Sequence, residues 1–431
     1  MTASHRLAPL GPPQTRKERA SFFLIVLFLV AYKCNDALSV PQFWAEDATV
    51  FFHDQFGQTL PQLFTPYAGY LHTIPRLVAW VASWLPVIKA PLIYNASAVL
   101  LSATAIVLTC RQLGKYIPAW ILAMSFLAVP TGGELFGTLT NTQWFLQFTL
   151  AAYCLAPVRP PATPLLGALR ALGIFLIAVT GPFSVILSIV VAAMLAGSWL
   201  ARRVRWEPFG GALANVVAAG DWRVWTALAL GAAVQTCALI TRPPIQSVAE
   251  HALLPTLKLT FTHFVPIHTF GGTFLTGTGW LLLYTLVLGL LVFSRQAEGR
   301  ARLAVLGFAA FGVIATFAPI IRQQNLLPML ELSAADRYFY LVKVVWWWAV
   351  WLVLSGTSRR SRRNATVLTA ALISIFAVTN SAHLRRSGLL DLSWPHHAHQ
   401  LDAGGLHRIP VNPAGWSTTV GTNDPAPAPA P

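Results

Sequence analysis

About eleven apolar stretches, separated by short polar or basic links, run almost the whole length of this 431-residue chain. They fall at about 21–39, 90–110, 117–130, 143–157, 165–180, 183–200, 223–241, 278–294, 302–321, 338–355 and 364–382. Crossing ~30 Å of hydrocarbon takes roughly 20 apolar residues as helix. Residues that are 55% hydrophobic and only 10% charged leave too little polar surface to cover a water-soluble globule, which carries about a quarter charged residues. The 25 Phe and 16 Trp suit a lipid-facing protein with aromatic belts. The expected fold is all-α, a polytopic transmembrane helical bundle of about eleven spans.

The balance of 30 Lys+Arg against 15 Asp+Glu would favour nucleic acid in a soluble chain. In this chain the basic residues gather in short clusters between apolar stretches, the pattern of cytoplasmic loops, and no nucleic-acid partner is expected. Arg16, Lys17 and Arg19 precede the first stretch, which reads as a span with its basic end inside rather than a cleaved signal. Arg111 with Lys115, Arg159 with Arg170, the Arg202–Arg205 cluster, Arg295–Arg302 and Arg359–Arg363 all alternate onto that same side. The expected organisation is a basic cytoplasmic N-terminus at 1–20 and a transmembrane domain at 21–382. An extracytoplasmic tail follows at 383–431, its Pro/Ala end disordered. Outer loops fall at about 40–89 and 242–277. The stretch 75–88 is too short for a span and reads as an interfacial amphipathic helix in the first outer loop.

The outer side receives ten of the 11 histidines and Glu46, Asp47, Asp54, Glu134, Glu250, Glu331 and Asp336. It is the expected working face. In FWAEDATVFFHDQFGQ, Glu46 and Asp47 are carboxylates among aromatics, where a raised pKa would suit a general base. A solvated acidic loop is the plain alternative. PYAGYLHTIPRL brings Tyr67, Tyr70, His72 and Arg76 together, either as a belt or as a sugar-stacking platform with Arg76 on a phosphate. Asn141, Gln143 and Trp144 offer amides for hydroxyl groups, or for helix capping.

Arg322 and Arg337 are arginines on the outer side, against the basic-inside bias. Either Asp336 neutralises Arg322, or the two arginines grip an anionic lipid headgroup bidentately. His251, His263 and His268, and the tail cluster His396, His397 and His399, lack metal-ligand spacing. The tail cluster is expected to be a flexible surface, and no metal or cofactor is expected. Cys34, Cys110, Cys154 and Cys237 show no CxxC spacing and read as packing residues.

The early ED pair, the polar outer face and the RYF at the mouth of a late span resemble the GT-C superfamily of polytopic glycosyltransferases. The ordered set W-x-E-D, PYAGYLH, N-x-QW, TGPF, DRYFY and IPVNPAGW, from Trp44 to Trp416, looks more closely like a group of bacterial multi-spanning membrane proteins. The resemblance implies a polyprenyl-phosphate-linked sugar donor, a glycan or lipid acceptor, and action at the outer face of a bacterial plasma membrane. It matches Asp47 to the loop acid, with Glu46 beside it, and Arg337 to the RYF arginine. It gives no counterpart for Arg322, Arg76 or Trp144. Many such enzymes carry a sizeable soluble domain after the last span, where this chain has only 383–431. A flippase or transporter and an envelope-assembly partner are the competing classes. A transporter would place ionisable residues at mid-membrane depth.

Overall fold

The computed structural model describes residues 15–204, 209–241, 252–272, 275, 277–293, 299–332, 335–356 and 358–425. The chain is helical nearly throughout. In order, the helices are α1 (Arg16–Lys33), α2 (Asp36–Ser39), a π-helical turn at Asp47–Phe52 running into α3 (His53–Gln55), and α4 (Thr73–Ala82). Next come α5 (Ala90–Leu113), α6 (Ala119–Leu127), α7 (Gln143–Leu155), α8 (Pro164–Ala178), α9 (Phe183–Val204), α10 (Phe209–Ala218) and α11 (Trp222–Thr241). They are followed by α12 (Leu253–Leu259), α13 (Val265–Phe270), α14 (Gly277–Phe293), α15 (Gly299–Ile320), α16 (Tyr340–Leu354), α17 (Arg359–Thr379) and α18 (Trp394–Asp402). Strands β1 (Gly404–Val411) and β2 (Trp416–Pro425) close the described chain as one antiparallel hairpin.

Among the described residues, five helical segments are long and apolar enough to cross a membrane: Val87–Leu113, Phe183–Ala201, Trp222–Thr241, Gly299–Ile320 and Asp336–Leu354. α7 buries every residue but Tyr153, so its apolar stretch faces protein on all sides. α4 has ten residues and cannot span. It buries Pro75, Arg76, Ala79 and Ala82, while Val81 and the following Trp84 and Leu85 stay exposed. One face of α4 is thus buried in the protein and the other exposed.

Local chemistry sets the helix ends. Thr15 and Glu18 cap α1 reciprocally, and Thr163 caps α8, with Pro164 at its first position. The core is aromatic. Phe126, Phe148, Phe308 and Trp348 pack edge-on or stacked on one another, and Phe126 and Phe148 also meet Tyr340. The two polar tips in it are satisfied: Tyr340 Oη donates to the Phe126 carbonyl at 2.8 Å, and Trp348 Nε1 to Ser125 Oγ at 2.7 Å.

The tail is ordered where a flexible surface was expected. His396, His397 and His399 lie on α18, whose Trp394 packs edge-on against Phe43 and Phe52. The basic tip before Thr15, the 242–251 part of the long loop with Glu250 and His251, and the 426–431 end lie outside the described residues.

Candidate functional site

Segments far apart in sequence converge at one end of the bundle. Asp47 accepts hydrogen bonds from Leu139 N at 2.8 Å and Thr140 N at 2.7 Å, tying the first loop to the start of α7. The Tyr67–Tyr70 pair closes a two-residue turn through reciprocal backbone bonds, with Ala68 and Gly69 both at positive φ. His72 then bridges Thr180. Gln235 of α11 locks this joint: it accepts from Leu71 N at 2.8 Å and donates to the carbonyls of Leu71 and Gly181 at 3.1 and 3.0 Å. Gly181, at φ +90°, leaves room for the Gln143 amide oxygen, which would strike a Cβ there.

Arg337 sits at the centre. Its Nη1 lies 2.9 Å from Glu134 Oε2 and 4.0 Å from Glu46 Oε1. Its guanidinium stacks over the Tyr338 ring, and that ring meets Trp144 edge-on, which in turn packs on Phe183. Tyr67 and Tyr70 stand against His72 at ring separations of 5.7 and 4.7 Å. The arginine remains reachable, its side chain 23% exposed against 11% for Glu46 and 12% for Glu134. One guanidinium, two carboxylates and several flat rings therefore meet at a partly open surface.

The electrostatics divide the two neighbouring acids. Asp47 is fully enclosed, and burial pushes its carboxyl up to about 7, against the pull of its two backbone donors. Both oxygens are engaged, so Asp47, expected as the base, is an anchor between two loops. Glu46 keeps Oε2 enclosed without a hydrogen-bond partner. An unmet buried acceptor of this kind costs about 1–3 kcal/mol. Burial raises Glu134 as well, with Arg337 opposing it. His72 is held neutral, pushed down to about 3 by burial and then by Arg76.

Other expected residues are engaged elsewhere. Arg76 is buried, lies over the Phe51 ring and pairs through Nη2 with Asp54 at 3.0 Å, so it ties α4 to the first loop, while its Nε has no partner among the described residues. Asn141 Nδ2 donates to the Glu134 carbonyl and to Thr138 Oγ1, fixing the link that carries Glu134. Arg322 lies exposed and makes no ion pair with a described residue. Asp336 does not neutralise it. Instead Asp336 binds Lys343 Nζ at 2.6 Å, His268 Nδ1 at 2.9 Å and Gly132 N at 2.9 Å, all enclosed. That network seats the turn bearing Arg337 against the link bearing Glu134. Sequence reasoning had Glu134 only as one outer acid among several and missed Gln235, a lone amide in an apolar stretch, which was itself the signal. Among the described residues no three His, Cys, Asp or Glu side chains gather to hold a metal ion.

Fold and site define a mostly helical protein with five candidate membrane-spanning segments among the described residues and a charged, aromatic-walled cluster at one end of its bundle. Compared with family models, curated proteins and solved structures, the chain matches none.

Proposed function

We propose that the protein is a membrane glycosyltransferase of GT-C-like architecture, with further helices crossing beside the five segments above. It moves a sugar from a polyprenyl-phosphate donor to a glycan or lipid acceptor at the outer face of a bacterial plasma membrane. The observation that carries this reading is Arg337, poised between Glu46 and Glu134 over the Tyr338 ring at a reachable surface. A guanidinium so placed suits a phosphate bidentately.

An apolar groove of about 490 Å³ supports the lipid part of the donor. It is lined by α12–α16, including Val342, Val345, Trp346 and Ala349. Val342 of the groove and Tyr338 beside Arg337 pack against the same cluster of Phe264, Ile320 and Phe339.

In this reading Glu46 rather than Asp47 is the base. Glu46 Oε2 takes the proton of the acceptor hydroxyl, and the acceptor oxygen forms its bond to the anomeric carbon. The bond from that carbon to the lipid phosphate oxygen breaks, its electron pair leaving on the phosphate. Arg337 stabilises that developing charge, and Tyr67, Tyr70 and Trp144 flank the sugar. Asp47 and Arg76 hold the loop, and Asn141 and Gln143 shape the wall. The transport alternative would draw on buried Lys33 and Lys343. Each is tied to the fold by two acceptors, Lys33 by the carbonyls of Leu127 and Leu384 and Lys343 by Asp336 and the Pro130 carbonyl.

The test is release of free polyprenyl phosphate from a panel of polyprenyl-phosphate sugars in nanodiscs. The parent is expected to release it, and Glu46→Gln to lose ~100-fold or more of the rate. Absence of release with every bound donor would end the transferase reading, and equal rates for parent and variant would end the role given to Glu46.

A further inference from the structure

Four polar atoms on α7 and at the start of α9 are enclosed and without a hydrogen-bond partner among the described residues: Gln143 Oε1, Trp144 Nε1, Gln147 Oε1 and Ser184 Oγ. Their residues are all more than nine-tenths buried. Gln147 stands one turn below Gln143 on α7, and its Nε2 donates to the Trp144 carbonyl at 3.2 Å. That bond fixes the amide, because a flipped group would set two oxygens face to face. Ser184 follows Phe183, whose ring packs 4.8 Å from Trp144, and α7 packs on α9.

The set therefore presents two acceptors, one indole donor and one hydroxyl of either sense. Hydrocarbon would leave all four unmet. A bare phosphate only accepts, so it would meet Trp144 and Arg337 and oppose the Gln143 and Gln147 oxygens. An ammonium group would meet the acceptors and be opposed by Arg337. Neutral hydroxyls both donate and accept, and several on one ring meet the whole set. Buried polar groups in native proteins are nearly always paired, which makes such a concentration of unmet ones a mark of a binding place.

We infer that the wall formed by Trp144, Gln147 and Ser184, at the junction of α7 and α9, is the subsite for a polyhydroxylated ring, the sugar of the donor. Naming that ring as the donor sugar rests on the transferase reading, whereas the match to hydroxyl groups stands on the wall alone. Gln147 and Ser184 are then specificity-determining residues, selecting the sugar and leaving the lipid phosphate to Arg337.

The experiment measures binding to protein in nanodiscs of three probes: a polyprenyl-phosphate hexose, bare polyprenyl phosphate, and a soluble methyl hexoside. Gln147→Leu is expected to weaken the lipid-linked hexose by ~10-fold or more while leaving bare polyprenyl phosphate within about twofold. Ser184→Ala, which removes one hydroxyl without adding bulk, should show a smaller loss with the same selectivity. It decides the matter if the first variant does not fold. Equal effects on both lipids, or none on either, would overturn the subsite. Gln147-dependent binding of the methyl hexoside by a parent that ignores both lipids would keep the subsite and remove the transferase reading. Tight binding of polyprenyl phosphate with no preference for the sugar would do the reverse.

Discussion

Asp47 shows how one enclosed carboxylate can hold two loops together. It accepts from the backbone of Leu139 and Thr140 at once, and burial holds its pKa at about 7, far above the ordinary value of 3.8. The folded protein therefore keeps a proton that the unfolded chain has lost between those two values. The corresponding stabilisation is fully present below about pH 4 and is lost as pH rises through about 7. The thermal midpoint of the parent is expected to rise when pH falls from 8 to 5.5, by ~2 °C or more beyond any rise in Asp47→Asn. Asn has one acceptor and would face the second backbone donor with an N–H. The variant is therefore also expected to be destabilised at every pH, by about 1–3 kcal/mol. Thermal melts of both proteins across that range check the two statements. Parallel pH dependences would show that Asp47 does not titrate in this window.

At the level of elements, Gln235 joins three of them: α11 carries it, and its amide closes on Leu71 and Gly181. Gln235→Leu would leave Leu71 N–H and the Gly181 carbonyl without this partner inside a dry contact. We expect a loss of about 2 kcal/mol or more, with faster amide exchange at residues 69–73 than in α11 itself. Uniformly unchanged exchange would refute this clamp. The example also marks what was readable beforehand. Alternating basic clusters placed the loop around 40–74, the 131–142 link, the 180–183 turn and the tail on one side, and those segments do meet. Their residue types also identified the Glu46–Arg337 neighbourhood. Which polar groups are spoken for was not readable, because Asp54 for Arg76, Thr138 for Asn141 and Leu139 for Asp47 come from chain that only the fold brings close. Span number was obscured for a related reason. α6 and α7 are apolar because they are buried in protein on most sides, and composition alone does not separate that from contact with lipid.

For the whole molecule, the tail is a strap across the end of the bundle. Arg386 is central to it: its guanidinium forks onto Asp36 with contacts of 2.6–3.1 Å and donates to the Phe136 carbonyl at 2.8 Å. Its own backbone N–H reaches the Lys33 carbonyl. Further along, Asn412 donates from its N–H to the Phe43 carbonyl and accepts at its own carbonyl from Ala45, so the tail flanks Trp44, two residues before Glu46. Side chain and backbone of one arginine thus connect the end of α1, the start of α2, the link before α7 and the segment leading to α18. Because Arg386 has no side-chain exposure while Asp36 keeps 19%, removing the arginine leaves a partly wetted acid, and the cost falls near the lower end of that for breaking a buried pair. Arg386→Gln is expected to cost ~3 kcal/mol and to expose 383–425 to protease before the spans are cut. A cycle with Asp36→Asn separates the strap from general damage. If the two side chains act as one unit, the double variant should lose little more than Arg386→Gln alone, a coupling of ~1 kcal/mol or more. Additive losses would mean that Arg386 works mainly through the Phe136 carbonyl, and that the tail is held by Trp394 and Asn412 instead.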